Sequence, residues 1–435
     1  MKLRLKVFIA CGFFIMSAFA VSVFAADILS RQKSALIKDE IILPRGPGEH
    51  MEVRYIILKG TNEEIGRAMG DIAQKDYGSV KLTQYAEPAY AKARLEYMSR
   101  NNPILLEWMK GIARSYGVSL FNTLLDTSYL PSFYTPQCSG MLVPAAYSAN
   151  GHTFYSASRD YYVATFSEVM DKKLKPGEKK IFSEAAVIEI YPDKGYSSLL
   201  VAVGDITYGV DIVNSEGLSV AGFEDDTYGI TRTPKDLSRA TGLSVSQVMM
   251  LIANTCATID EAKLVLLINK ISMPPLPMHI QVADRTGQAF IYEISPDDFS
   301  GKFVYNDGRP QAITNHGVFA YPDISKAPIN EKDPYDTYNR YRRLTEFITS
   351  HKGKYSIADG WQAMDLVMGA VGEASEGGHH NLPLRTFFQI IVDNEERAIQ
   401  IKFYLKDKSV DPVTGHATLE FSKPFEFKLS SMVDR

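Results

Sequence analysis

The chain has 435 residues, of which 45% are hydrophobic, and a formal net charge of −4, values that are typical of a globular protein. No basic run or arginine-rich patch marks a nucleic-acid-binding surface, so we expect no nucleic-acid partner. Three cysteines are too few for a disulfide scaffold. Because no Pro/Gly/Ser linker or internal repeat divides the chain, we expect one large domain with two parts.

Residues 1–25 have the pattern of a secretory signal peptide. Basic residues near the start precede an apolar stretch, 7–24, and a small-residue cleavage site before Ala26. We therefore expect a periplasmic or secreted protein with no membrane contact beyond this peptide. An uncleaved anchor is the alternative, because the apolar stretch approaches the length of a transmembrane helix.

Residues 26–137 have a largely helical pattern. A short strand, 53–58, comes first, and the helical pattern then covers 62–126. Within it, the stretch 103–116 carries apolar residues at three- and four-residue spacing. We predict a mostly helical N-terminal segment.

After Cys138 the pattern changes to strands. Two of them, 141–147 and 152–158, flank Asn150-Gly151, a strong hairpin signal. Ser244 and Thr258 begin two later helices, the second with a capping box. Blocks of strands, helices and strands predict an α+β fold of antiparallel sheets covered by helices. Further strands are predicted at 186–191, 197–203, 208–213, 218–223, 279–283, 289–294, 311–314, 386–392 and 398–404, and further helices at 336–348 and 357–368.

Cys138 stands where the two patterns meet. If the peptide bond after Gln137 is cut, Cys138 carries both a thiol and a free α-amine, whose ordinary pKa of about 7.7 to 8.0 suits it as the base for that thiol. Cys138 and Gln137 are therefore a candidate self-cleavage site. The alternative is an envelope protein in which Cys138 only packs. Cys256 ends an apolar helical pattern and is expected to be buried and inert, although the two cysteines could also pair.

Several motifs follow Cys138 in a fixed order: Arg159-Asp160-Tyr161-Tyr162, Asn214–Gly222, Thr314-Asn315-His316 and Asp336–Tyr341. Together with Cys138 they resemble the N-terminal-nucleophile hydrolases, in the group of isopenicillin N acyltransferase, choloylglycine hydrolase and penicillin V acylase. Lys59–Gly66 and Met109–Ala113 are similar to the prosegment of the acyltransferase, which favours its self-cleaving branch. The resemblance covers nearly the whole mature chain.

This resemblance implies a four-layer αββα sandwich, a small subunit, 26–137, and a large subunit, 138–435. It also implies roles for single residues. Cys138 is the nucleophile, Asp160 accepts hydrogen bonds from its amine or thiol, and Asn315 donates to the oxyanion. Arg340 favours the thiolate and forms a bidentate ion pair with Asp160. Candidate substrate-binding residues are Arg159, Tyr161, Phe223, Glu224 and His316.

Two departures from the family pattern bear on activity. Ala157 and Ser158 occupy the places of an Arg-Asn pair, so that the arginine is displaced to Arg159. Glu224 follows Phe223 where choloylglycine hydrolases place a second oxyanion-related asparagine. An acid there opposes developing negative charge, unless it is turned away or meets a cationic substrate.

We therefore predict an exported, self-cleaving cysteine hydrolase that cuts linear amide bonds of small acyl-amide substrates through a thioester on Cys138. Its two fragments are expected to stay together as a heterodimer. Acyl transfer to an amine and a catalytically silent binding protein are the alternatives. We expect no cofactor and no metal, although His379-His380 lies in an acidic loop that could bind one.

Overall fold

The computed structural model describes residues 35–76, 87–122, 137–169, 172–174, 176–203, 209–225, 241–271, 278–295, 300–331, 335–370 and 382–429. The predicted signal peptide and His379-His380 lie outside these residues. The chain divides into a short unit, Met1–Ala35, of which only Ala35 is described, and a second unit, Leu36–Arg435, that holds every element named below. The predicted boundary between Gln137 and Cys138 falls inside this second unit and stays a prediction.

The described strands are β1 (Leu36–Leu43), β2 (Glu52–Gly60), β3 (Gln137–Val143), β4 (Phe154–Tyr162), β5 (Glu184–Pro192), β6 (Ser198–Val203), β7 (Asp211–Asn214), β8 (Ser219–Glu224), β9 (Met278–Ala283), β10 (Ala289–Ile294), β11 (Gly301–Tyr305), β12 (Gln311–Ile313), β13 (Leu384–Asp393), β14 (Ala398–Val410), β15 (Ala417–Phe421) and β16 (Phe425–Lys428). The described helices are α1 (Asn62–Asp76), α2 (Pro88–Asn101), α3 (Pro103–Ser115), α4 (Phe166–Val169), α5 (Val245–Thr255), α6 (Ile259–Ile268), α7 (Thr337–Ser350) and α8 (Ile357–Asp365).

The strands form two sheets. One has nine strands in the order β1-β2-β5-β6-β7-β8-β9-β10-β11. The other has seven, in the order β12-β3-β4-β13-β14-β15, with β16 also paired to β14. Among the described strands, β2 and β5 pair in parallel and the other named neighbours are antiparallel.

The two sheets face each other across a shared hydrophobic core. Apolar residues of both sheets meet there, such as Phe223 of β8 and Phe388 of β13. Helices cover the outer faces, with α5 on β7, β8 and β9 and α1 on β2, while α7 and α8 lie on the seven-stranded sheet. The predicted α+β fold with four layers is confirmed.

Local signals explain many of these elements. The side chains of Ser244 and Thr258 accept hydrogen bonds from the first turns of α5 and α6 in complete capping boxes, and Asp336 caps α7. Strands β3 and β4 pair around the predicted Asn150-Gly151 turn. In these cases the bonding partners lie in the same helical turn or in consecutive strands.

The segment before Cys138 differs in part from the expectation. Helices α1, α2 and α3 are present, but β1 was not predicted and β2 is an interior strand of the nine-stranded sheet. Strand β1 is an edge strand whose side chains, including Ile37 and Ile41, are largely exposed. Because it buries so little apolar surface, it lacks the alternation by which half-buried strands are recognised.

Candidate active site

The pairing of β3 with β4 sets the geometry around Cys138. Cys138 lies opposite Arg159, and Gln137 lies opposite Asp160. Opposed residues of an antiparallel pair point to the same face, and successive residues point to opposite faces. Cys138 and Arg159 therefore face the nine-stranded sheet, whereas Asp160 faces the layer of α7 and α8.

The Cys138 thiol is fully buried. Burial raises the pKa of this thiol, and the positive charge of the Arg159 guanidinium acts in the opposite direction. The charges of Asp160 and Asp211 raise the thiol pKa further. Arg159, the arginine expected to be displaced, is thus the cation that stabilises the thiolate.

Arg159 is itself held from the opposite sheet. Its Nε donates to Asp211 Oδ2 at 3.0 Å, a second nitrogen donates to Asp211 Oδ1, and Nη1 donates to the Gly222 carbonyl at 2.6 Å. The guanidinium lies 4.3 Å from the ring centroid of Phe223, and Tyr155 donates its hydroxyl proton to Asp211 at 2.9 Å. The pair therefore links the two sheets beside the thiol.

The main chain of Cys138 is held by two distant residues, Asn315, predicted to donate to the oxyanion, and Arg340, predicted to favour the thiolate and to bind Asp160. Its N–H donates to Asn315 Oδ1 at 2.7 Å, and its carbonyl accepts from Arg340 Nη1 at 2.6 Å. Arg340 also donates to the Ser139 hydroxyl at 2.7 Å and to Asn315 Oδ1 at 2.9 Å. The Asn315 amide nitrogen donates to the Glu224 carbonyl at 2.9 Å.

The prediction that Arg340 forms a bidentate ion pair with Asp160 is wrong. The guanidinium uses its donors on Cys138, Ser139, Asn315 and the Tyr335 carbonyl, and no hydrogen bond joins it to Asp160 in the part of the chain that the structure describes. It acts on Asp160 through its charge alone.

Asp160 is fully buried on the helix side of its strand. Its Oδ1 accepts hydrogen bonds from Thr386 at 2.5 Å and from Ser158 at 2.9 Å. Burial raises the pKa of this carboxyl, and Arg340, the two hydroxyls and the Gly369 amide oppose the rise.

The remaining predicted residues occupy different surroundings. Tyr161 lies in the core between the sheets, against Phe182 and Phe387. Glu224 is buried at the end of β8, and since Phe223 points into that core, strand alternation directs the Glu224 side chain to the opposite face.

His316 is buried among tyrosines rather than beside the thiol. Its Nδ1 lies 2.8 Å from Thr337 Oγ1, and its ring lies 4.6 Å from that of Tyr338 and 5.0 Å from that of Tyr341. Burial, aided by neighbouring positive groups, lowers the pKa of His316 to about 3. The ring is therefore neutral near pH 7.

Sequence reasoning missed several polar residues of the site. Asp211 and Thr386 lie in segments that were predicted as strands with no role in the site, and Thr337 was predicted only as part of a helix. The single signal for Asp211 is an acid inside an apolar strand, which usually means a buried partner. The partner itself, Arg159, lies in the other sheet and has no local signature.

Neither a metal centre nor a membrane span is found within the described ranges. No group of three or more His, Cys, Asp or Glu side chains there is placed to hold a metal ion. Likewise, none of the helices in this part of the chain has the length and apolar character needed to cross a bilayer. Cys138 and Cys256 are both free thiols.

No protein-family model matches the sequence, and no curated protein matches it. Among solved structures, the chain is similar to a mutant conjugated bile acid hydrolase from Clostridium perfringens (14% identity, TM-score 0.43, covering 66% of this chain and 96% of that chain). It is also similar to penicillin V acylase from Agrobacterium tumefaciens (14% identity, TM-score 0.41, covering 65% and 85%). A third similar structure is the Caenorhabditis elegans ortholog of N-acylethanolamine-hydrolyzing acid amidase (10% identity, TM-score 0.38, covering 59% and 93%). These values are too low to assign the chain to a family.

Proposed function

We propose that this protein is an exported, self-cleaving cysteine hydrolase of the N-terminal-nucleophile type that acts on linear amide bonds. The observation that carries the proposal is the convergence on Cys138. The positive charge of Arg159 acts on its thiol, Asn315 accepts from its N–H, and Arg340 donates to its carbonyl. A cysteine that only packs has no need of such a cluster.

The first reaction is self-cleavage. The Cys138 sulfur attacks the Gln137 carbonyl carbon, and the bond from that carbon to the Cys138 nitrogen breaks, so that the acyl chain moves from nitrogen to sulfur. The proton that the thiol loses on attack passes to this nitrogen, which becomes the α-amine. Water then hydrolyses the thioester, which releases the carboxylate of Gln137 and restores the thiol.

The second reaction uses the mature terminus on a substrate. The α-amine takes the thiol proton, the sulfur attacks the amide carbonyl, and the amine passes the proton to the leaving nitrogen. The Asn315 amide nitrogen gives up its hydrogen bond to the Glu224 carbonyl and donates to the oxyanion instead. Arg159 stabilises the thiolate. Water completes the cycle by hydrolysing the thioester.

The substrate class that fits this chemistry is a small molecule in which an acyl group is joined to an amine. An amine that outcompetes water at the thioester would make the same site an acyltransferase. The position of Arg159 beside the thiol favours an active enzyme over a silent binding protein. The predicted signal peptide, 1–25, supports the proposal of a periplasmic or secreted location.

Intact-mass analysis of the purified protein tests the proposal. We expect two fragments divided between Gln137 and Cys138, and an uncut chain for Cys138→Ala. Cys256→Ala is the matched control, since it also removes a buried thiol but should cleave normally. A wild-type chain that stays whole under all conditions, or a Cys138→Ala chain that is cut at the same bond, contradicts self-cleavage. A screen of acyl amides on the cleaved protein then identifies the substrate.

A further inference from the structure

We propose that Thr386 is a positioning residue, which occupies one oxygen of Asp160 and so reserves the other, Oδ2, as the acceptor for the α-amine that cleavage before Cys138 releases. This inference rests on the proposed self-cleavage. It adds to the proposed self-cleavage the residue that prepares Asp160 as an acceptor before the α-amine is released.

The first step of the argument is that the Thr386 hydroxyl donates its proton to Asp160. The Gly369 backbone N–H donates to Thr386 Oγ1 at 2.8 Å. A backbone amide can only donate, so the threonine oxygen is the acceptor there. The single hydroxyl proton of Thr386 is then available for Asp160 Oδ1, 2.5 Å away.

The second step concerns the two oxygens of Asp160. Oδ1 also accepts from Ser158 at 2.9 Å, so that it has two donors. Oδ2 is buried and has no hydrogen-bond partner among the described residues. A buried carboxylate oxygen without a donor is costly, and an ammonium group that arrives there removes that cost.

The third step is the location of the carboxylate relative to the scissile bond. Gln137 lies directly opposite Asp160, and opposed residues of an antiparallel pair have Cα atoms about 4.5 to 5.5 Å apart. Cleavage thus frees the amine of Cys138 within one side-chain length of Asp160. The charge of Asp160 already acts on the Cys138 thiol.

Gly369 leaves room for the Asp160 carboxylate beside the main chain. A Cβ atom at residue 369 would lie 2.9 Å from Asp160 Cγ and 3.2 Å from Oδ2. The glycine therefore lets the carboxylate lie close to the main chain of residue 369, where the amide binds Thr386.

The groups that act on Asp160 come from five parts of the chain. Arg340 of α7 is the cation, Cys138 of β3 is the titratable neighbour, and the contacts from β13, from its own strand and from residue 369 are the uncharged Thr386, Ser158 and Gly369. Loss of the Thr386 hydroxyl removes a donor that favours the carboxylate, so the Asp160 pKa should rise.

The experiment compares the full-length wild type with Thr386→Val and Thr386→Ser. Valine has the shape of threonine without the hydroxyl, and serine restores the hydroxyl. We expect Thr386→Val to slow self-cleavage roughly 10- to 100-fold, the range of one hydrogen bond to a charged group, and Thr386→Ser to cleave near the wild-type rate. Equal rates for valine and wild type overturn the inference.

A second readout does not depend on cleavage. The Asp160 carboxyl is titrated by carbon NMR in the same three sequences carrying Cys138→Ala, with Asp160→Asn used to assign the signal. We expect a higher titration midpoint in the valine variant than in wild type, and recovery in the serine variant. If the wild type fails to cleave, the proposed function fails, and equal midpoints in this titration overturn the role of Thr386 separately.

Discussion

At the scale of single residues, Arg159 of the opening hairpin is displaced in the sequence motif but still lies beside Cys138 in the fold. Its register opposite Cys138 places its positive charge on the same face of the sheet as the thiol. Asp211 then keeps the guanidinium in place from the other sheet. The charge of Arg159 opposes the rise in the thiol pKa that burial causes.

Removal of this cation should raise the Cys138 thiol pKa. In Arg159→Met the burial that raises the pKa is no longer opposed, so thiolate absorbance should appear at higher pH than in wild type. Each titration is corrected by the same protein carrying Cys138→Ala.

Arg159→Met leaves Asp211 as an uncompensated buried charge, which can destabilise the fold. The double variant Arg159→Met/Asp211→Asn removes both charges and serves as the control. We expect its thiol midpoint to lie above the wild-type value too. A midpoint at or below that of wild type in both variants would refute the role of Arg159.

His316 should make stability depend on pH. Its pKa is about 3 in the folded protein against an ordinary 6.5, so between these values the unfolded chain binds one more proton. The stabilisation is present above pH 6.5 and is lost as the pH falls towards 3, at about 1.4 kcal/mol per pH unit for one proton.

His316→Gln should therefore show a shallower fall in unfolding free energy between pH 6.5 and 4 than wild type, measured by urea denaturation at each pH. His50, whose pKa burial also lowers to about 3, remains in both proteins and cancels in the comparison. Parallel curves for the two proteins would rule out His316 as the source of the dependence.

At the scale of elements, α1 and α3 show how small residues set a helix contact. A Cβ atom at Gly66 would lie 2.1 Å from the Trp108 carbonyl oxygen, and one at Gly111 would lie 2.0 Å from the Glu63 carbonyl oxygen. Both obstacles are backbone atoms, which cannot rotate away. The two glycines thus allow the helix backbones to approach closely.

Gly66→Ala should destabilise the protein by about 1 to 3 kcal/mol, the usual cost of overpacking, although alanine is the better helix former. Chemical denaturation measures the change in unfolding free energy. Glu107→Ala, at an exposed position of α3, is the control and should change stability by no more than about 0.5 kcal/mol. A Gly66→Ala protein as stable as wild type would show that α1 and α3 can move apart enough to fit the methyl group without loss of stability.

At the scale of the whole molecule, β2 joins the segment before Cys138 to the rest of the fold. It pairs with β5 from Glu52↔Glu184 to Gly60↔Pro192, and β1 lies on its other side. Helix α3 also contacts α5. A cut after Gln137 would therefore leave the first fragment with a strand inside the sheet of the second.

We expect the two fragments to stay together in native buffer, to elute as one species in size-exclusion chromatography and to separate only in denaturant. The reason is that dissociation would expose two sheet edges and the apolar faces of α1 and α3. Fragments that separate without denaturant would contradict this expectation. The uncut Cys138→Ala chain provides the reference elution volume.

The sequence by itself determined the features whose partners are local. The capping boxes at Ser244 and Thr258, the Asn150-Gly151 hairpin and the α+β order of elements all follow from residues a few positions apart. The resemblance of ordered motifs added Cys138 and Asn315 as candidates. These signals persist in any chain with the same local pattern.

Only the tertiary structure decided which side chains meet. Asn315 reaches Cys138 across 177 positions, Asp211 reaches Arg159 across 52, and Thr386 reaches Asp160 across 226. Such contacts depend on strand register and on how the sheets face each other, because a shift of one residue turns a side chain to the opposite face. No local pattern encodes that register, so Asp211, Thr386 and the true partners of Arg340 became visible only in the folded chain.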